Sequence, residues 1–311
     1  MTLNNFAVGI DIGGTNSVVG LCDNKGNILS SNSFPTQSFD SPEEFVATTS
    51  EWIASLKSDY NIVGIGIGAP NGNIMSGTIE FAPNLPWEGQ IKLAEMFQNK
   101  TGLETILTND ANAAAIGEMT FGSAKDLSDF VLITLGTGLG SGVVINNELV
   151  SGAHGIAGEF GHIVAERKGR ECGCGRQGCL ETYVSSTGIV RSVFELNSEN
   201  KLRSALLKSE AIDARVVFEQ AAKGDLFANE VVEYTAMMLG RSLADFACFS
   251  DPQAFVLFGG IAQSGQKFAN LVKSSLEDHI LNIYANRIEI RVSSLHDKNA
   301  AILGAASLIL S

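Results

Sequence analysis

The chain has 311 residues, enough for one large domain or two ordinary ones, and its 45% hydrophobic content supplies material for buried cores. A formal net charge of −13 and a sequence isoelectric point of about 4.8 would repel a nucleic-acid backbone or an anionic bilayer unless a basic patch overrode the field, and the sequence shows none. The uncharged runs 60–79 and 130–147 are interrupted by Gly, Asn, Thr or Pro and are too polar to span a bilayer. The N-terminus lacks the ordered regions of a secretory signal, so a cytoplasmic location is expected.

In chain order, FAVGID (6–11) reads as a strand, GGTN as a glycine loop, and VVGLCD and NIL as two further strands around a turn at Asn24–Gly26. SPEEFVATTSEWIASLKSDY predicts a helix, with Ser41 as N-cap, Pro42 in the first helical position and Glu44 completing a capping box. NIVGIGIGAP is a buried strand, IKLAEMFQNKTG a helix stopped by Gly102, and ETILTND a strand that runs into the helical ANAAAIGEM. FVLITLGTGLGSGVVINNELV (130–150) then repeats the opening plan of strand, glycine loop, strand, turn and strand, which suggests a duplicated fold. After residue 185 the chain is mostly helical, NEVVEYTAMMLGRSLADFACF most clearly. AFVLFGG and IEIRV return to strand, and NAAILGAASLIL is a last apolar helix. The alternation predicts an α/β protein, with the boundary between its halves at a crossover near 116–120.

Several stretches carry chemistry. DIGGT (11–15) places Asp11 at a strand end, where it could help hold a hydrated magnesium, and Gly13, Gly14 and Thr15 where backbone N–H groups approach a phosphate. LGTGLGSG, with Gly136, Thr137 and Gly138, is a matching loop in the other half, as expected if both halves grip one nucleotide. Asp110 follows a strand: it reads either as a helix cap or as a general base that accepts the proton of an attacking alcohol, and the two are compatible. His162, Cys172, Cys174 and Cys179 are the most specific signal. In a reducing compartment, one His and three Cys meet the tetrahedral preference of zinc, and a complete protein shell implies a structural ion. Cys22 and Cys248, in apolar contexts, are expected in the core. Glu159 and Glu181 bracket this loop, so a metal would fix them as acceptors for sugar hydroxyls.

With these residues assembled, the chain resembles the ROK family of bacterial sugar kinases, within the actin-like and hexokinase-like ATPase superfamily. AGEFGH (157–162) and CGCGRQGCLE (172–181) are similar to the family's most diagnostic signature, DIGGT and LGTGLGSG resemble its two phosphate loops, and LFGGIAQ, with Gly259 and Gly260, its adenosine-side turn. The resemblance implies a two-lobed, duplicated ribonuclease H-like (actin-like ATPase) fold with an interlobe cleft. Residues 1–118, joined by a C-terminal helix 298–311, would form one lobe, and 119–297, with the zinc loop and a helical insertion, the other. It implies an ATP-dependent kinase acting on the 6-hydroxyl of a hexose, glucose first, with Mg2+ and a structural Zn2+. Asp110 becomes the catalytic base. Asn84, Asn109, Asp110, Glu159, His162 and Glu181 contact the sugar, and His162, Cys172, Cys174 and Cys179 hold the metal, one ring nitrogen of His162 on zinc and the other facing the sugar. Fructose, mannose or an N-acetylhexosamine are alternative substrates, and a non-catalytic sugar-sensing regulator is the alternative from another class. A homodimer is the usual state in such proteins, and neither nucleic acid nor membrane is expected as a partner. The chain departs from the family pattern at Asn71, in the turn after the third strand, at Ser141 in the second glycine loop, and at Phe258 before the adenosine turn.

Overall fold

The computed structural model describes residues 5–197, 204–295 and 297–310, the side chains of 297–299 excepted. Its strands are β1 (Asn5–Ile12), β2 (Asn16–Asp23), β3 (Ile28–Pro35), β4 (Asn61–Gly68), β5 (Gly72–Asn73), β6 (Thr78–Glu80), β7 (Gln90–Ile91), β8 (Glu104–Thr108), β9 (Phe130–Leu135), β10 (Leu139–Ile145), β11 (Glu148–Leu149), β12 (Ala254–Phe258) and β13 (Glu289–Val292). Its α-helices are α1 (Pro42–Leu56), α2 (Leu93–Thr101), α3 (Asp110–Thr120), α4 (Glu181–Val184), α5 (Ser186–Leu196), α6 (Ala214–Ala222), α7 (Leu226–Ser250), α8 (Gln266–His279) and α9 (Asp297–Leu310).

The chain forms two compact units. The first comprises 1–126, 147–157 and 294–311, and the second 127–146 and 158–293. Residues 116–120, where the sequence suggested a crossover, are the last turns of α3 and belong to the first unit.

The first unit is built on a sheet ordered β3-β2-β1-β4-β8, with an antiparallel meander β1-β2-β3 and parallel β4 and β8. The capping signals read in α1 are in place: Ser41 accepts from the Glu44 N–H at 3.2 Å, and Glu44 reaches back to the N–H of Asp40 at 3.0 Å. On one sheet face, α1 and α2 bury Phe45 among Phe39, Trp87 and Phe97, with ring centroids 5.3–6.1 Å away. On the other face lies α9, drawn close by glycines. A Cβ on Gly66 would stand 1.8 Å from the Ala305 carbonyl oxygen, and one on Gly9 2.1 Å from that of Ile302. The small residues therefore let helix backbone rest on strand backbone, and any side chain there would push α9 off the sheet.

The second unit repeats the plan. β9 and β10 are an antiparallel hairpin, and β12 runs parallel to both β9 and β13, giving the order β10-β9-β12-β13. The duplication read from the two glycine-loop segments is thus a duplication of sheet topology. Helices α4 to α8 supply this unit's mass, and α7 and α8 run side by side in the same direction, with Lys267 donating to the Asn229 side chain and Ser275 to the Met237 carbonyl. Cys22 is fully buried, as expected, but Cys248 is exposed near the end of α7, its thiol donating to the Ala244 carbonyl. The apolar run around Cys248 conceals a helix end where one face meets solvent.

Candidate active site and metal centre

In the first unit, Asp11 is the next-to-last residue of β1, and the chain turns through Gly13 to Thr15. The turn is stitched by Gly13 N–H to the Asn16 carbonyl (3.0 Å), by the Thr36 hydroxyl to the Gly13 carbonyl (2.7 Å) and by the Gln37 amide to the Gly14 carbonyl (2.7 Å). Gly14 lies against Asn84: a Cβ there would be 2.7 Å from the Asn84 carbonyl oxygen. Asn84 itself is exposed between three buried anchors, Ala82, Leu85 and Trp87, and the Trp87 ring N–H donates to the Phe39 carbonyl at 3.3 Å. Two sequence motifs some seventy residues apart therefore meet at one place.

At the start of α3 the roles differ from the first reading of Asp110 as a cap. Asn109 is the N-cap, its side-chain oxygen accepting from the Asn112 N–H at 2.7 Å. Asp110 is the first helical residue and accepts from the Ala111 N–H at 2.9 Å. The Asp110 side chain is open to solvent yet surrounded by protein mass, and that loss of hydration pushes its carboxyl above the ordinary carboxylate range, although the Ala111 N–H opposes the shift. Asp11 is pushed up to about 6, by desolvation first and then by the charge of Asp110. The two carboxylates thus sense one another within this unit. Asn71, with φ at +52°, donates its side chain to the carbonyls of Glu80 and Phe81, so it ties the open end of the β5–β6 hairpin.

In the second unit, the loop after β9 and the turn after β12 open on a cavity of about 550 Å³ lined by Gly136, Thr137 and Gly260, with Arg215 and Phe218 of α6 and Gln263 opposite. Gly138 and Gly259 are not part of this lining. A Cβ on Gly138 would fall 2.4 Å from Oε2 of Glu181, and one on Gly259 2.6 Å from the Leu135 carbonyl oxygen. Glu181, in the first turn of α4, sends Oε2 to the Leu139 N–H at 3.1 Å. Ser141 is buried; its hydroxyl donates to the Gly158 carbonyl and accepts from the Phe160 N–H at 3.3 Å, pinning the turn that carries the exposed Glu159.

Glu159 leads into a 3-10 turn, Phe160–His162. A small antiparallel ladder then brings the metal-binding residue types together, with bridges Val164–Cys179 and Glu171–Gln177 and with Leu180 N–H donating to the Ile163 carbonyl. The ligand atoms of His162, Cys172, Cys174 and Cys179 all lie within 4.8 Å of one another. Cys174 and Cys179 sulfurs are 3.6 Å apart, and Nδ1 of His162 is 3.7 Å from the Cys172 sulfur. Tetrahedral zinc, with Zn–S of about 2.3 Å and Zn–N of about 2.0–2.1 Å, requires ligand edges of roughly 3.5–3.8 Å. The donor set and its spacing fit such an ion, and binding through Nδ1 would leave Nε2 of His162 for another partner.

Three features had no sequence signal strong enough to name them. The α6 wall of the cavity read only as part of a helical stretch. Arg170, buried, donates to Glu195, the Ser192 hydroxyl and the carbonyls of Thr182 and Gly188 at 2.5–3.0 Å while its guanidinium lies 4.3 Å over the Tyr183 ring. Asn73, also buried, donates to Glu80 at 3.1 Å and to the His154 carbonyl at 2.8 Å, fastening the 151–157 segment to the small β5-β6-β7 sheet. An arginine two residues before a cysteine and an asparagine in a turn look like ordinary surface residues until their partners are known.

The model of the ROK family matches residues 7–311. The chain belongs to the ROK family. This ROK protein is 34% identical to the glucokinase of Streptomyces coelicolor over 97% of both chains. It is also similar to the crystal structure of a ROK family glucokinase from Streptomyces griseus in complex with glucose and AMPPNP, at 33% identity and a TM-score of 0.80, covering 97% of this chain and 98% of that one. A xylose repressor of Bacillus spizizenii is 30% identical over 98% of this chain and 77% of its own. The two-lobed actin-like ATPase fold expected from the sequence is the fold of this chain. Among the described residues no helix is long and apolar enough to cross a membrane.

Proposed function

We propose that this ROK protein is an ATP-dependent hexose kinase, a glucokinase, that transfers the γ-phosphoryl group to the sugar's 6-hydroxyl. The observation that carries this reading is Asp110: a carboxylate at the first turn of a helix, raised toward a useful basicity by desolvation, in a chain that matches glucokinases over nearly its full length. A base is most effective when its pKa approaches the working pH, and the helix N-terminus still favours the ionised form that accepts the proton.

Asp110 accepts the 6-hydroxyl proton as that oxygen attacks phosphorus and the bond to the ADP leaving oxygen breaks. Asn84, Asn109, Glu159, His162 and Glu181 hold the sugar hydroxyls, Asn109 through the amide hydrogens its capping oxygen leaves available. Gly13, Gly14 and Thr15 in one unit and Gly136, Thr137 and Gly138 in the other present backbone N–H groups to phosphate oxygens. The cavity against α6 receives the adenosine beside Gly259 and Gly260, Phe218 offering a ring to the base. Asp11 would hold Mg2+ through its water shell, and the ion would supply positive charge to the phosphates. His162, Cys172, Cys174 and Cys179 would hold a structural Zn2+ that braces His162 and Glu181.

The enzyme works in the cytoplasm, where ATP is available and thiols stay reduced. It acts as a homodimer, and exposed Phe249, Leu281 and Ile283, 91%, 56% and 65% accessible in the second unit, are the surface such an association would cover. The test is coupled ADP release with MgATP and a panel of hexoses, on protein of known zinc content. Glucose should exceed fructose, mannose and the N-acetylhexosamines in specificity constant by at least an order of magnitude. Sugar binding with no ADP from any hexose would replace the kinase with a sugar-sensing regulator.

A further inference from the structure

Behind the zinc loop, within the second unit, lies an open groove of about 420 Å³ whose walls include Arg167, Arg170, Arg191, Tyr183, Tyr234 and Glu195. It shares no lining residue with the cavity assigned to the nucleotide. Its charge is unusual for this chain, which carries a formal net charge of −13. Three arginines here face two glutamates, and both glutamates are engaged: Glu195 pairs with Arg170 at 2.7 Å and Arg191 at 2.8 Å, and Glu166 with Arg241 at 2.6 Å.

The donors left over define what would bind. Arg170 spends its guanidinium on Glu195, Ser192 and two carbonyls. Arg191 uses Nε on Glu195 and Nη1 on the Glu171 carbonyl, which among the described residues leaves Nη2. Arg167 is exposed and has no ion-pair partner among the described residues, and the half-buried Tyr234 hydroxyl has no hydrogen-bond partner among them. One whole guanidinium, part of a second and a phenol therefore face the same volume, a donor set suited to phosphate oxygens. The second Glu166 oxygen and the aromatic wall of the half-buried Tyr234 suit the hydroxyls and ring face of a polyol.

We propose that this groove is a second ligand site, which takes a phosphate monoester of a sugar, with Arg167 as its principal phosphate contact. The site stands on its own geometry and not on the kinase reading. If that reading holds, the enzyme's own product belongs to this ligand class. Calorimetric titration of glucose 6-phosphate into the full chain, with glucose saturating, tests it without any turnover. One equivalent should bind with a constant of about a millimolar or tighter. Arg167→Glu should weaken it at least tenfold and Tyr234→Phe several-fold, with zinc content, glucose binding and basal turnover unchanged. Inorganic phosphate should bind several-fold more weakly than the ester. Absence of binding up to about 20 mM, or binding indifferent to Arg167→Glu, would overturn the site. Equal affinity for inorganic phosphate would overturn the sugar ester as its ligand.

Discussion

Oε2 of Glu181 accepts a hydrogen bond from the Leu139 N–H at 3.1 Å, joining the end of the zinc loop to the glycine loop after β9. One carboxylate thus serves a proposed sugar contact and holds a proposed phosphate loop in shape. Glu181→Ala should raise the KM for hexose by about 10–100-fold, the loss of one or two charge-assisted hydrogen bonds, and should also raise the KM for ATP. A change confined to the hexose constant would mean that the link to Leu139 does not shape the nucleotide side.

Asp110→Asn keeps the side chain's size and its bond to the Ala111 N–H but removes the base. Turnover should fall by about 10²–10⁴-fold while glucose affinity stays within a few-fold. In the unmodified protein, activity should decline as pH falls through the raised Asp110 pKa, so the acid limb should lie above 3.8, the ordinary value for aspartate. A variant that keeps most of its activity would remove Asp110 from this role.

Asp11 is protonated more readily in the folded chain, at about 6, than in the unfolded one, at 3.8. The folded state therefore binds the extra proton. The stability this confers is complete below pH 3.8 and is lost as pH rises to about 6, which leaves a charged, poorly hydrated carboxylate above that. With allowance for its partial exposure, the penalty at neutral pH is on the order of 2 kcal/mol. Ligand-free Asp11→Asn should melt higher than the parent at pH 7.5, with the difference vanishing near pH 4, and it should turn over more slowly with MgATP. Equal melting temperatures at pH 7.5 would show that Asp11 is well hydrated.

Removal of the metal tests the brace. Cys172→Ala, or prolonged chelation, should take zinc from one per chain to none and weaken hexose affinity, with nucleotide affinity nearly unchanged. Full activity in metal-free protein would end the structural role assigned to the His162, Cys172, Cys174 and Cys179 cluster.

Arg170→Ala should destabilise the protein by about 2–4 kcal/mol, because it empties a buried volume and removes the guanidinium that donates to the Thr182 carbonyl, the Ser192 hydroxyl and Glu195. Thermal unfolding measures this, and Arg170→Lys should recover only part of the loss, since an ammonium cannot span the same partners. A loss below about 0.5 kcal/mol would place the Arg170 network among surface features.

Much of this architecture was legible because local signals agreed. The Ser41 cap, the Gly102 stop and the repeated strand–glycine–strand segments each rest on residue properties that act over a few positions. The metal cluster was legible for the same reason, since its ligands span only 162–179. What escaped reading depends on contacts distant in sequence. Asp110 reads as a cap until Asn109 is seen to occupy that position. Ser141 reads as an interruption in a phosphate loop until its hydroxyl is found on Gly158. The strands β5, β6 and β7 are too short to carry a period, and Cys248 sits in an apolar run whose exposed face only the packing reveals.

Gly9 and Gly66 are synthesised before any strand of the second unit, whereas the helix that covers them, α9, is synthesised after all of those strands. At about 5–20 residues per second, roughly 10–50 s separate the synthesis of Gly66 from that of α9. Throughout that interval the glycine face of the first sheet lacks its helix, and every strand of the β10-β9-β12-β13 sheet is made within it. The unit whose sequence begins first therefore cannot cover its sheet until the strands of the other have been made, and a truncated or stalled chain would present an uncovered sheet face to whatever chaperones attend it.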